Sequence, residues 1–272
     1  MKVVGVALVR DEDLWVERAV RNVSQFCDEI LMYDHRSRDG TAEILERLAG
    51  ELPHAKAHSI DDPAVTHEAL ERYCGTDTWV FGVDGDEIYD PASLADMRRR
   101  LEAGEFDDWF MVKGMQLHCR SLDPVAGTAT GWLAPPSRST TMLYNFAPLE
   151  SWEGPAPERL MGEGARFARD VEAVRWLRDE HPWDEAPMRC LHVCFLRRST
   201  RQPAGSYARI SYPERISGSR REQLKRALRE KLGRPEESWW KLNKYRQGPE
   251  VTVSVAGFFP DDGASAVAGG KR

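Results

Sequence analysis

No apolar run in this 272-residue chain approaches the ~20 residues that a membrane-spanning helix needs. The N-terminus passes almost at once into a strand-like run and shows no cleavable secretory pattern. Cysteine is scarce. Cys27, Cys74, Cys119, Cys190 and Cys194 are odd in number and scattered without paired spacing. That excludes a disulfide scaffold and makes a reduced, cytoplasmic compartment the expectation. No fixed-period repeat is present, which excludes a solenoid. Positive charge is also in deficit: 38 Lys and Arg against 44 Asp and Glu leave a net charge of -6, with pI ≈ 5.7. Without a recognised binding module, nucleic acid is therefore not an expected partner. The composition that remains, 41% hydrophobic and 30% charged, is that of a globular protein. The length suits one large α/β domain, or a domain with a small annex.

The most informative feature present is Asp84-Gly85-Asp86, which closes the apolar run Trp79-Val80-Phe81-Gly82-Val83. The run predicts a short buried strand. Gly85 can take backbone angles that other residues avoid, so two carboxylates leave the strand end with almost no side chain between them. Hard divalent ions favour carboxylate, water and phosphate oxygen, and such a pair suits Mn²⁺ or Mg²⁺ on a diphosphate. The plain alternative is an Asp-Gly turn with a solvated second acid.

Upstream, Val3 to Val9 is a continuous apolar run, as in a strand covered on both faces. Arg10-Asp11-Glu12-Asp13 follows, then a helical stripe of Trp15, Ala19, Val23 and Phe26. The acids are expected in that helix's first turn. A second strand, Glu29 to Tyr33, ends at Asp34, and the next helix carries Ile44, Leu45 and Leu48. This alternation predicts a mostly parallel sheet flanked by helices. Ligands of such sheets bind beyond the carboxyl ends of the strands, where Asp34 and the Asp84–Asp86 pair both fall.

Four stretches together carry a family resemblance: Val9-Arg10-Asp11-Glu12, Asp28 to Asp34, Ser37-Arg38-Asp39-Gly40-Thr41, and Trp79 to Pro91. In this order the chain resembles family 2 glycosyltransferases and their relatives with the GT-A fold, over roughly the first 95 residues. The resemblance implies that Asp34 holds the nucleotide base and that Asp84 and Asp86 hold the ribose and the metal-bound diphosphate. Arg10 and Asp11 join them as donor contacts. It also implies direct displacement with inversion, and a late histidine as a metal ligand, a role that fits His192. Two positions depart from the pattern: His35 stands where an acid is common, and Asp11 where Asn is common.

Asp90-Pro91 opens a helix striped by Leu94, Met97 and Leu101 and stopped by Gly104. A strand over 109–118 is expected next. Residues 119–165 are rich in Pro, Gly, Ser and Thr and form the expected acceptor side. Trp132, Tyr144 and Trp152 either stack there on a sugar or an aglycone, or plug the domain edge. An acceptor hydroxyl must lose a proton, and Glu153 is the candidate base, with Glu158 and Asp179 as rivals. Arg189 to Arg197, read as a strand, puts Cys190, His192 and Cys194 on one face. His192 is then a metal ligand, a buried structural histidine, or part of a zinc site whose fourth ligand is not evident; His118 is a further candidate ligand.

Residues 197–246 hold 15 Lys or Arg against 5 Glu. Ser219-Arg220-Arg221-Glu222 is a capping box, and Leu224, Leu228 and Leu232 stripe the helix it opens. Three uses are open: a solvated basic face, peripheral attraction to anionic lipid or a lipid-linked acceptor, and phosphate binding by Lys241, Lys244 or Arg246. The expected organisation is a GT-A-like catalytic domain over 1–196, a basic helical annex over 197–260 and a disordered tail over 261–272. The expected activity is metal-dependent transfer of a sugar from a nucleotide-diphosphate donor to a small-molecule, glycan or lipid-linked hydroxyl. A nucleotidyltransferase is the alternative enzyme, although Arg10 to Asp13 lacks the Gly-rich, Lys-containing loop such enzymes use. The non-catalytic alternative is a nucleotide- or sugar-binding protein of the same fold.

Overall fold

The structure is a computed structural model and describes residues 1–133, 142–152, 165–203, 228 and 245–260. The first strand, β1 (Lys2–Val9), is buried along nearly its whole length. It is flanked by β2 (Glu29–Asp34) and β4 (Thr78–Val83), both parallel to it, and β3 (Ala55–Ser59) extends the sheet beyond β2. The connections are helices: α1 (Val16–Val23) after β1, α2 (Thr41–Glu51) after β2, and the short α3 (Ala64–Glu68) after β3. Burial on both faces explains the uninterrupted apolar runs of β1 and β4. The protein is thus mixed α/β, with a central sheet flanked by helices, as the alternation predicts.

The acids of Arg10 to Asp13 lie before α1 rather than inside it, and Glu17 is the acid of its first turn. Asp90 caps α4 (Pro91–Glu102) by accepting from Ala92 N at 3.0 Å, as expected. Its other oxygen accepts from Arg189 Nε and Nη2 at 2.9 and 2.7 Å, which ties the cap to a late strand.

The single strand expected over 109–118 is two. The chain runs through β6 (Trp109–Lys113), breaks at Gly114 and continues as β7 (Met115–Asp123) in a different sheet. A Cβ on Gly114 would lie 2.2 Å from the carbonyl oxygen of Met188, so only glycine lets the two backbones pass at this switch. The central sheet is completed by β9 (Met142–Asn145), antiparallel between β4 and β6, and by β12 (Glu172–Trp176) beside β6. Between them β10 (Leu149–Trp152) and β11 (Ala165–Phe167) pair as a small ribbon. Tyr144 and Trp152 are buried in the core, so of the three aromatic candidates for sugar stacking only Trp132 keeps an accessible surface.

A second sheet joins β14 (Glu250–Ser254), β8 (Thr128–Leu133), β7, β13 (Arg189–His192) and β5 (Glu87–Tyr89) in that order. β13 is parallel to β7 and antiparallel to β5. The stretch expected as a helical annex therefore ends in a strand of this sheet. Phe258, just beyond it, is buried against Trp183, and its carbonyl accepts from Asn22 Nδ2 at 2.8 Å. The leucine-striped helix, apart from exposed Leu228, and the tail over 261–272 lie outside the described residues.

Candidate functional site

Asp84-Gly85-Asp86 is the hinge between the two sheets. β4 brings the chain out of the central sheet, Glu87 N closes a turn on Asp84 O at 3.0 Å, and β5 enters the second sheet at once. Gly85 is needed here for space rather than for unusual backbone angles: its φ is not positive, but a Cβ would lie 2.2 Å from Glu12 Oε2 and 2.9 Å from Val9 Cγ1. Buried Glu12 thus presses directly on the hinge.

β1 lies between β2 and β4, with Val9 level with Asp34 and Ala7 level with Val83. Asp34 and Asp84 therefore leave the same, carboxyl edge of the sheet, two strand spacings or about 10 Å apart. Asp34 is buried and accepts from Ser37 N at 3.2 and 3.3 Å, so its own carboxylate shapes the turn after β2. Asp11 follows β1 with φ 54°. Its amide donates to Ser37 Oγ at 2.9 Å and its carboxylate accepts from Arg38 N at 2.7 Å. Asp11 thereby clamps the loops after β1 and β2 to each other. Half-buried Arg10 lies beside it, with Nε 3.9 Å from Asp11 Oδ2.

Asp86 turns inward and is 3% exposed. Two cationic or basic groups converge on its Oδ2: Arg198 Nη1 donates to it and His192 Nε2 lies 3.5 Å away. Burial alone would push this carboxyl up, but His192 and Arg198 more than offset that and hold it well below the usual carboxylate range. The backbone fixes the geometry, because β13 pairs with β5 so that His192 stands opposite Glu87, and Val193 N donates to Asp86 O at 2.9 Å.

Arg198 reaches Asp86 because residues 197–202 form a strap across the loops of the crevice. Leu14 N donates to Arg198 O at 3.1 Å, Trp15 Nε1 to Arg197 O at 2.8 Å and Thr200 N to Asp13 Oδ1 at 2.8 Å. Ser199 Oγ donates to Asp39, whose carboxyl burial pushes up and whose hydrogen bonds from Ser199 and Thr41 bring net down. In the sequence Arg198 is one cation of a basic stretch. Its signal was position, four residues after Cys194 at the end of a buried run.

The strand expected through Arg197 stops at His192, so Cys194 does not share the alternation of Cys190 and His192. Cys190 packs in the main core instead. His118 of β7 takes its place: its Nδ1 is 2.9 Å from His192 Nδ1, and Cys194 Sγ is 3.9 Å from the same atom. Tyr245 stacks on His118 with ring centroids 4.2 Å apart, and Arg246 lies over the rings of Trp132 and Phe195. Arg246 thus sits against the aromatic wall beside the histidines. Lys244, Lys241, Glu153 and Glu158 fall outside the described residues, and Asp179 is on the surface.

A Mn²⁺ or Mg²⁺ ion fits this donor set in one respect and meets a rival in another. Asp86 Oδ2 and His192 Nε2 are separated by 3.5 Å, near the ~3 Å between adjacent ligands of an octahedral ion. The guanidinium of Arg198 already serves the same oxygen.

No family model matches the chain, and no curated protein matches it. Among solved structures, glucosyl-3-phosphoglycerate synthase from Mycobacterium tuberculosis, in complex with Mn²⁺, UDP and glucosyl-3-phosphoglycerate, aligns with 42% of this chain and 44% of its own, at 20% identity and TM-score 0.32. A mannosyltransferase from Pyrobaculum calidifontis with GDP-Man and Mn²⁺ aligns with 53% and 44%, at 15% identity and TM-score 0.36. The 4-diphosphocytidyl-2C-methyl-D-erythritol synthase of Anaerococcus prevotii aligns with 53% and 70%, at 13% identity and TM-score 0.32. The chain spans under half the length of the first two. These partial overlaps take in glycosyltransferases and another class of synthase alike, and do not choose between them. No helix among the described residues is long and apolar enough to cross a membrane.

Proposed function

We propose that this protein is a metal-dependent inverting glycosyltransferase that moves a sugar from a nucleotide-diphosphate donor to a hydroxyl acceptor. The observation that carries this reading is the common carboxyl edge of β2, β1 and β4, where Asp34, Arg10 with Asp11, and Asp84 with Asp86 leave adjacent parallel strands. That edge is where open α/β sheets bind nucleotides. The ~10 Å from Asp34 to Asp84 is enough for a nucleoside to lie between a carboxylate that accepts from the base and one that accepts from the ribose.

In this reading Asp86 and His192 hold Mn²⁺ or Mg²⁺. When bound, the ion neutralises charge that develops on the leaving diphosphate. Arg198, fixed by its strap, is a second cation at the same point, and donates toward the diphosphate oxygens as it does toward Asp86. The acceptor oxygen attacks the anomeric carbon, the bond to the diphosphate oxygen breaks, and its electron pair stays on the diphosphate. The acceptor proton passes to a carboxylate, for which Glu153 is the proposed base. The acceptor is a small molecule, a glycan or a lipid-linked hydroxyl. The nucleotidyltransferase alternative is disfavoured because Arg10 to Asp13 is not a Gly-rich phosphate loop, and Asp11 within it clamps Ser37 and Arg38.

A thermal-shift panel of UDP, GDP, dTDP and CDP, each with and without Mn²⁺, tests the proposal. One nucleotide at ~100 Kd should add ~2.7 kcal/mol of stability, and more with Mn²⁺ than without. If no nucleotide raises the melting temperature under either condition, the nucleotide-sugar reading is wrong.

A further inference from the structure

Two imidazoles and a thiol meet behind Asp86. His118 and His192 are direct partners in the parallel register of β7 and β13, and Cys194 follows two residues past the end of β13. All three are buried, and one ligand atom from each lies within 4.8 Å of the other two. We propose that His118, His192 and Cys194 bind a borderline-soft divalent ion of the zinc type, at a site separate in ligand chemistry from the hard-ion position at Asp86. This inference goes beyond the proposed sugar transfer and does not depend on it.

The donor set argues for the ion class. Thiolate with imidazole selects zinc-like metals, whereas carboxylate and water select Mg²⁺ and Mn²⁺. Zinc binds nitrogen at about 2.0–2.1 Å and sulfur at about 2.3 Å, so two ligands of one tetrahedral ion lie about 3.3–3.7 Å apart. The observed Nδ1···Nδ1 separation of 2.9 Å and Sγ···Nδ1 separation of 3.9 Å bracket that range. Side-chain adjustment closes the triangle from within the 4.8 Å that spans the three ligand atoms, and a water fills the fourth position.

On binding, the Cys194 thiol proton passes to solvent. Each imidazole stays neutral, presents its Nδ1 lone pair to the ion and carries its proton on Nε2. For His192 that Nε2 faces Asp86 Oδ2 at 3.5 Å. A metal-bound histidine that donates its other N–H to a carboxylate is the usual supporting arrangement of such sites. Tyr245 packs against both rings, with centroids 4.2 Å from His118 and 5.5 Å from His192, and shields the position from bulk water. The same geometry makes the two ions rivals. A neutral His192 has one lone pair, which points either to Asp86 through Nε2 or to His118 and Cys194 through Nδ1.

Co²⁺ titration of the metal-stripped full chain, without nucleotide, tests the site through the near-ultraviolet thiolate-to-cobalt charge-transfer band. We expect that band at one Co²⁺ per chain, and its loss on adding one equivalent of Zn²⁺. Cys194→Ser should abolish the band, and His118→Ala should weaken Co²⁺ affinity by about ten-fold or more. Cys119→Ser and Asp84→Ala should retain it. Circular dichroism confirms that each variant is folded. If Cys194→Ser does not fold, wild-type protein still decides: Zn²⁺ must protect Cys194, identified by peptide mapping, from alkylation. Absence of the band in folded wild-type protein, an unchanged band in Cys194→Ser, or no protection of Cys194 overturns the site. The histidines would then be a hydrogen-bonded structural pair. Because no nucleotide is present, these outcomes test the thiol–imidazole site alone, and the nucleotide thermal-shift panel tests the transferase proposal separately.

Discussion

Replacing Arg198 with methionine isolates the electrostatics of the crevice, since methionine keeps much of the side-chain volume and removes the guanidinium. Asp86 and Arg198 are 3% and 7% exposed, so neither charge can turn to bulk water when the other is lost. Removing one partner of a buried pair costs about 3–5 kcal/mol, because a charge remains in a poorly solvated place. His192 at 3.5 Å softens the loss, and the Asp86 carboxyl can take up a proton instead, so the lower end applies. At about 2–4 °C per kcal/mol, the melting temperature should fall by on the order of 10 °C. Acid provides an independent check. Asp86 is held below its unfolded value of about 3.9, so it contributes stability that is present above that pH and is lost as pH falls toward the folded value. Arg198→Met should weaken that acid-limb dependence, because His192 alone then holds the folded carboxyl down. Adding Asp86→Asn removes the stranded charge and should recover part of the loss, with a coupling of about 0.5–3 kcal/mol. If Arg198→Met melts within about 2 °C of wild type at pH 7, or if the two substitutions simply add, the buried pair does not exist in solution.

Three further outcomes are expected. Asp34→Ala should raise donor KM more than it lowers kcat, since contacts to the base are similar in ground and transition states, and an unchanged KM would remove Asp34 from the donor site. Gly85→Ala forces a Cβ to within 2.2 Å of Glu12 Oε2 and should cost about 1–3 kcal/mol in urea denaturation; an unshifted midpoint would mean that the hinge is looser than described. Asn22→Ala removes the donor shared by the carbonyls of Tyr89 and Phe258, at 2.7 and 2.8 Å, and should cost about 2 kcal/mol or more, with earlier proteolysis of the C-terminal strand; equal protease resistance would count against that tether.

The parts of the fold that sequence analysis reached are those stated by local pattern. β1, β2 and β4 are covered on both faces, so they read as unbroken apolar runs, and α4 announces itself through Asp90 and Pro91. β3 escaped notice because it is an edge strand whose Ala-Lys-Ala-His-Ser sequence is mostly exposed and carries neither pattern. The break between β6 and β7 was missed for a different reason. Gly114 is tolerable in one long strand by local rules, and only the Met188 carbonyl, 74 residues further on, forbids a side chain there.

The candidate site divides along the same line. Asp34, Asp84 and Asp86 were legible because a carboxylate at the end of a buried parallel strand is both a local pattern and a chemical statement. Arg198, which pairs with Asp86, was not, because it arrives by tertiary contact. It lies 112 residues from Asp86 along the chain, and the contact between His118 and His192 spans 74. His192 does lie beside Asp86, but one expected neighbour does not join it: strand alternation offered Cys190, whereas the parallel pairing of β7 and β13 brings His118 against it. A one-dimensional period identifies which residues share a face only while the strand lasts, and β13 ends at His192. Where one strand stops and another sheet begins, the ligands and counter-ions of a buried carboxylate are decided by register between strands. At this hinge the register places a cation, an imidazole and, behind them, a thiol around one acid.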